Sequence, residues 1–191
     1  MLSRRTFLVH ASVISAGAAQ FAQSASAAAV LTDDGLYRQP WFLDSFLELS
    51  DDLDASAQAG KRFAILWELK GCPACRQTHL VNFAKPEIEA FIKEHFDILQ
   101  LNIVGAREVT DFDGEKVSEK RLAQKYAVRF TPTFQFFPEG SAGLAARKPQ
   151  EREVVRAQGY LAPPHFLSMF KLVSERTYEK GNLPDYLKAS E

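Results

Sequence analysis

Cys72 and Cys75, in the stretch "LWELKGCPACRQTHL" from Leu66 to Leu80, are the only two cysteines in a chain of 191 residues. A pair at this spacing can staple the fold, hold part of a metal site, or cycle between dithiol and disulfide. A staple is a poor use for it, because closing a ring of about four residues supplies only about 2 kcal/mol of loop-closure entropy. A zinc or copper set would need more ligands, and only His79 lies near, one helical turn after Cys75. A redox couple needs close sulfurs, so that the second thiol can resolve the mixed disulfide formed by the first. The pattern therefore points to thiol–disulfide exchange.

The elements around the pair sharpen that chemistry. Phe63-Ala64-Ile65-Leu66-Trp67 is a short apolar run that reads as a buried strand, and a helix is expected from about Pro73 to Phe83. At a strand-to-helix junction the free N–H groups and the positive end of the helix dipole favour a thiolate, the only form that attacks disulfides. Cys72 is then the nucleophile and Cys75 the resolving thiol. Pro73 suits the first helical position, where its missing N–H costs nothing.

Helices and strands alternate along the rest of the chain. Trp41, Phe42, Phe46, Leu49 and Leu53 recur at helical spacing and predict an N-terminal helical extension. Pro86 interrupts the helix after the cysteines, which resumes through Ile88, Phe91, Ile92 and Phe96. Phe96 to Ile103 reads as a second strand. Asp113-Gly114 suits a type I′ hairpin turn, a simpler reading of Asp111-Phe112-Asp113-Gly114 than a calcium loop lacking its later ligands. Ser118 caps a short helix through Tyr126. Thr133–Phe137 and Val154–Ala157 are two further strands, and Phe166, Met169, Phe170 and Val173 line a C-terminal helix. The expected fold is an α/β sandwich with a mixed central sheet flanked by helices.

The N-terminus bears on the redox compartment. Arg4-Arg5, a modest apolar run from Val9 to Phe21 and Ala25-Ser26-Ala27 read as an export signal over residues 1–27, of twin-arginine type. The run is too short and too rich in Ala and Ser for a membrane anchor. Cleavage after Ala27 would remove two of the 23 basic residues and none of the 24 acidic ones, for a formal charge of about −3. Nothing in that balance argues for nucleic acid. The remaining residues, 28–191, are long enough to bury one core without staples, and neither repeats nor Pro/Gly/Ser linkers divide them.

Gly71-Cys72-Pro73-Ala74-Cys75 after a buried strand, with Phe130-Thr131-Pro132-Thr133-Phe134 opening a later one, resembles the thioredoxin superfamily with its Cys-x-x-Cys and cis-proline. The stretch from Leu101 to Phe137, followed by Gly159-Tyr160, looks closest to the SoxW-type exported thioredoxins. Gly71 stands where a Trp usually precedes the first cysteine, the dipeptide is Pro-Ala in place of Gly-Pro, and Leu66 holds the place of the buried Asp. The resemblance implies a thioredoxin-like three-layer sandwich, a redox disulfide with no other cofactor or metal, and a cis bond at Thr131-Pro132. It also implies substrate contacts at Thr131, Pro132, Pro73 and Ala74.

Glu68 shares the strand parity of Leu66 and is the candidate proton relay for Cys75. His79 reads as an exposed helix residue. The function so implied is reduction of disulfides in periplasmic client proteins by a monomer, kept reduced by a membrane electron donor of the CcdA/DsbD type. A disulfide-forming oxidase on the same fold, or a copper- or zinc-binding chaperone using Cys72, Cys75 and His79, are the alternatives.

Overall fold

The computed structural model describes residues 28–189. The export signal expected over residues 1–27 lies outside them. A two-residue hairpin of β1 (Val30–Leu31) and β2 (Tyr37–Arg38) leads through an irregular stretch to α1 (Leu49–Gln58). Then follow β3 (Arg62–Glu68), α2 (Pro73–Gln77) continued by a π-helical turn over Thr78–Asn82, α3 (Pro86–His95) and β4 (Phe96–Asn102). A small hairpin of β5 (Glu108–Thr110) and β6 (Lys116–Ser118) precedes α4 (Glu119–Lys125). The chain closes with β7 (Thr133–Phe136), β8 (Val155–Gln158), α5 (Pro163–Ser174) and α6 (Leu183–Ala189).

The central sheet has the order β4-β3-β7-β8, with β3 parallel to β4 and antiparallel to β7, and β7 antiparallel to β8. Side chains alternate across a strand, and β3 sorts its residues accordingly. Ala64 and Leu66 enter one core with Phe134, Phe136, Ile88, Ile92, Phe166 and Phe170. Phe63, Ile65 and Trp67 enter the other with Leu49, Leu53, Leu122 and Tyr126. Helices thus cover both faces, and the three-layer mixed α/β sandwich expected from the sequence is the fold. Every residue of β3 is buried, which places its last residue, Glu68, inside the protein. Phe134 packs edge-on against Phe83, Phe166 and Phe170 at centroid distances of 6.4, 5.5 and 5.7 Å, tying the sheet to the helix that carries the cysteines.

The N-terminal segment departs from the helical reading: the helix expected from Trp41 begins only at Leu49. Leu47 adopts a left-handed conformation (φ 65°), its N–H donates to Ser45 Oγ at 2.6 Å, and Glu48 is extended. That local turn holds the chain out of the helix. Trp41 and Phe42 instead pack onto Phe83, at 5.5 and 5.3 Å, while Phe46 is exposed. The segment runs along the outer edge of β4: the Leu43 N–H donates to the Ile98 carbonyl at 3.0 Å, and Gln100 Nε2 donates to the Tyr37 carbonyl at 2.6 Å. An open strand edge is covered in this way.

The hairpin at Asp113-Gly114 forms, with a different turn. Gly114 N–H donates to the Asp111 carbonyl at 2.8 Å and Asp111 N–H to the Glu115 carbonyl at 2.9 Å, and of the two central residues only Gly114 has positive φ. This is a three-residue loop ending in a left-handed glycine, in place of the two-residue I′ turn. Its acids are already paired. Asp111 and Asp113 accept from Arg152 at 2.8 and 2.9 Å and pair with Lys125 at 2.6 and 2.7 Å, and Tyr126 donates its hydroxyl to Asp111 at 2.7 Å. Burial pushes the Asp113 carboxyl up, but hydrogen bonds from Lys125 and Arg152 outweigh it and hold the group well below the usual carboxylate range.

Candidate active site

The turn out of β3 delivers the first cysteine to a helix N-terminus. Gly71 takes φ +75°, a conformation a side chain would strain, and Cys72 follows as the extended N-cap of α2, with Pro73 in the first turn. Cys72 and Cys75 form a disulfide with Cα atoms 5.3 Å apart. The Cys75 backbone N–H points at Cys72 Sγ from 3.2 Å, so the cap position that serves a helix also presents a donor to the sulfur. Cys72 is half-buried, whereas Cys75 is 5% exposed on the inner face of the helix. Incoming sulfur therefore meets Cys72 first.

The Thr131–Pro132 bond is cis, as the resemblance implies. The Thr131 carbonyl oxygen lies 3.5 Å from Cys72 Sγ, Pro132 is buried, and its carbonyl accepts from Gly159 N–H at 2.8 Å. Thr131 and Pro132 thus flank Cys72 on one side, with Pro73 and Ala74 continuing the motif into the helix. Phe130, next in line, is 62% exposed.

Glu68 lies where its strand parity places it, on the face of Leu66 and 1% exposed. It does not stand alone. His79, read from the sequence as exposed, is buried, with Nε2 at 3.1 and 3.0 Å from the two Glu68 oxygens. Cys75 and His79 are four residues apart, hence stacked on one helix face, and that face turns inward here. Gln100 Nε2 also donates to Glu68 Oε2. Gln39 Nε2 lies 3.3 Å from His79 Nδ1 and 3.3 Å from the His79 carbonyl oxygen. The carbonyl can only accept, so the amide presents its NH₂ group; Nδ1 is then the acceptor and Nε2 carries the proton toward Glu68. With both ring nitrogens occupied, His79 has no lone pair left to complete a metal set with the cysteines. Among the described residues no group of three or more His, Cys, Asp or Glu side chains could hold a metal ion.

Beside the disulfide opens a cavity of about 400 Å³, lined by the N-terminal hairpin on one side and by residues from Glu68 to Arg76 on the other. Glu68, Cys72 and Cys75 all reach it. Glu68 and the resolving cysteine thus share one space. Sequence reasoning missed His79, Gln39, Gln100 and Tyr37; only the i, i+4 spacing of Cys75 and His79 signalled any of them.

A four-stranded mixed sheet, a Cys-x-x-Cys disulfide at the N-terminus of the following helix and a cis-proline facing it define a thioredoxin fold with its redox centre. Residues 49–174 match the thioredoxin-like domain family, and the chain belongs to it. With the Cys72–Cys75 pair in that domain, it is a thiol–disulfide oxidoreductase. Among solved structures it is similar to a thioredoxin-fold protein from Helicobacter pylori, at 22% identity and TM-score 0.53, covering 69% of this chain and 85% of that one. A thioredoxin from Thermus thermophilus aligns at 20% identity and TM-score 0.49, over 66% of this chain and 83% of that one. A disulphide isomerase from Xylella fastidiosa aligns at 15% identity and TM-score 0.38, over 78% and 93%. The Helicobacter pylori likeness supports the fold. A search of curated proteins finds no match.

Proposed function

We propose that the protein reduces disulfides in exported, periplasmic client proteins, in the manner of the SoxW-type thioredoxins that its motifs resemble. The observation that carries this reading is the unequal placement of the two sulfurs: Cys72 half-exposed beside the Thr131 carbonyl, Cys75 buried and sharing its space with Glu68. The Cys72 thiolate attacks a client disulfide, forms the mixed disulfide and releases one client thiolate. Cys75 then gives its proton to Glu68 and attacks Cys72 Sγ. That step expels the second client thiolate and closes the Cys72–Cys75 disulfide, so two electrons pass to the client.

A protein client suits the surroundings. Phe130, Leu80, Val81 and Val104 are exposed apolar residues on segments that adjoin the motif or the carboxyl ends of β3 and β4. The backbone of Thr131 can pair with an extended client strand while Pro132, Pro73 and Ala74 border it. The oxidised protein needs a dithiol donor to return, which the resemblance assigns to a membrane carrier of the CcdA/DsbD type, serving a monomer. No helix among the described residues is long and apolar enough to cross a membrane. Export rests on the Arg4-Arg5 signal. The test is turnover of a protein disulfide such as insulin by the dithiothreitol-reduced protein. Reduction dependent on Cys72 supports the proposal, and a protein that oxidises reduced clients yet fails to reduce insulin contradicts it.

A further inference from the structure

Glu68 meets two donors, and both are held by one stretch of chain that the family match leaves out. Residues 28–48 precede the matched region of 49–174, yet Tyr37 and Gln39 belong to the polar network around Glu68. An amide nitrogen carries two hydrogens, and two glutamines here use both of theirs. Gln39 Nε2 gives one to His79 Nδ1 and one to the His79 carbonyl, each at 3.3 Å. Gln100 Nε2 gives one to Glu68 Oε2 and the other to the Tyr37 carbonyl, the latter at 2.6 Å. Gln39, His79, Glu68 and Gln100 are all buried, so a partner lost from this chain leaves a polar group stranded in the interior.

The ring of His79 is boxed as well. Tyr37, Phe42 and Phe83 surround it at centroid distances of 6.2, 5.6 and 5.3 Å, the first two again from the N-terminal segment. Of the two ring orientations related by a half turn, only one brings Nδ1 to Gln39 and Nε2 to Glu68; the other would turn carbon atoms toward both. Gln39 therefore selects the orientation that makes His79 a donor to the carboxylate. Glu68 Oε2 accepts from His79 and Gln100, whereas Oε1 accepts only from His79 among the described residues, which leaves Oε1 the larger free acceptor capacity. The segment is itself anchored. Leu43 N–H donates to the Ile98 carbonyl at 3.0 Å, and Arg76 Nε donates to the Tyr37 hydroxyl at 3.3 Å, joining the hairpin to the helix of the cysteines.

We infer that residues 37–39 are a positioning element of the redox centre: Gln39 through His79, and the Tyr37 carbonyl through Gln100, set the orientation in which Glu68 receives the Cys75 proton. The inference rests on the proposed role of Glu68 as that acceptor. In the step concerned, the Cys75 S–H proton passes to a Glu68 carboxylate oxygen and the Cys75 thiolate attacks Cys72 Sγ. The new Cys72–Cys75 bond forms as the bond to the client sulfur breaks, and the client leaves as a thiolate. Gln39 does not border the cavity that Glu68 and the sulfurs share, so it acts only through His79.

The test follows the mixed disulfide with insulin in the whole protein, by rapid acid quench and non-reducing electrophoresis. Gln39→Met keeps the length of the side chain and removes its donors. It should slow resolution about tenfold, the upper end of one net hydrogen bond, so that a mixed disulfide short-lived in the unsubstituted protein accumulates after an unimpaired first attack by Cys72. In a Glu68→Gln background the same substitution should slow resolution by less than about twofold, because its effect passes through the carboxylate. Gln100→Met breaks the second link from inside the sheet and should show the same non-additivity, which keeps the test decisive should Gln39→Met fail to fold. Equal slowing in both backgrounds, or equal loss of attack and resolution, would mean that Gln39 only supports the fold and would overturn the inference. Slow resolution in Glu68→Gln with Gln39→Met and Gln100→Met at the unsubstituted rate would overturn it while the role of Glu68 stands. Resolution at the unsubstituted rate in Glu68→Gln would sink both.

Discussion

His79 Nε2 sits 3.1 and 3.0 Å from the two carboxylate oxygens of Glu68, with both side chains buried, and Gln39 fixes which ring nitrogen carries the proton. Glu68 therefore meets two oriented donors, His79 and Gln100, and still reaches the cavity that Cys75 shares. The thioredoxin pattern puts an acid at the position of Leu66, which here is fully buried in the apolar core, and the acid has moved two residues along the same face.

Glu68→Gln keeps the shape and removes the acceptor. Resolution of the mixed disulfide should slow by about a hundredfold near pH 7, the scale of general-base assistance. The deficit should shrink above about pH 8.5, where a thiol ionises unaided. Stopped-flow measurement of client release against pH reads both, and alkylation of Cys72 should be unaffected. His79→Phe takes the ring acceptor from the Gln39 amide, which keeps only the backbone carbonyl at position 79, and strips one donor from the buried Glu68 carboxylate. Unfolding in urea should show a loss of about 1–3 kcal/mol, the cost of orphaned buried polar groups.

The burial difference between the sulfurs dictates what single-cysteine variants capture. Cys75→Ser should accumulate a covalent complex with an oxidised client, because nothing remains to resolve Cys72. Cys72→Ser should capture none, since Cys75 is 5% exposed. Non-reducing electrophoresis followed by mass spectrometry distinguishes them, and capture through Cys75 would reverse the assigned roles.

Acid should weaken the fold through the hairpin cluster. The Asp113 carboxyl is held low by Lys125 and Arg152, against the opposing push of burial. A depressed carboxyl contributes stability above its unfolded value of about 3.9 and loses it as pH falls through the folded one. Asp113→Asn should lower stability at pH 7 and flatten its decline below about pH 4. Thermal unfolding across that range checks the sign, and an unchanged slope would mean that the cluster is uncoupled from folding.

Much of this was legible because it follows from period and residue type. The apolar run before Gly71, the Cys72–Cys75 spacing and the Ser118 cap, whose side chain accepts from Arg121 N–H at 3.3 Å, each have a local cause that the sequence displays. Glu68 followed from parity alone. His79 did not, because a polar residue on a helix is usually solvated, and its burial depends on Glu68, Gln100 and Gln39 arriving from three other segments. The stretch from Trp41 to Leu47 carries helical spacing, yet the Ser45 turn at left-handed Leu47 and the docking of Trp41 and Phe42 onto Phe83 override it. The cavity wall was invisible for the same reason: it is made by tertiary contact.

The reduction potential of the Cys72–Cys75 couple tests the reductase account most directly. A strongly oxidising dithiol requires heavy stabilisation of its reduced form, chiefly of the first thiolate. Here Cys72 Sγ meets one backbone N–H, from Cys75, and faces the Thr131 carbonyl oxygen, while Lys70 and Arg76 are exposed cations that water screens. The Pro73-Ala74 dipeptide adds no His. Equilibration with a glutathione buffer should give a value between about −270 mV, as for thioredoxin, and −180 mV, as for protein disulfide isomerase. A value near about −120 mV, that of a strong periplasmic oxidant, would contradict reduction and assign the protein to disulfide formation.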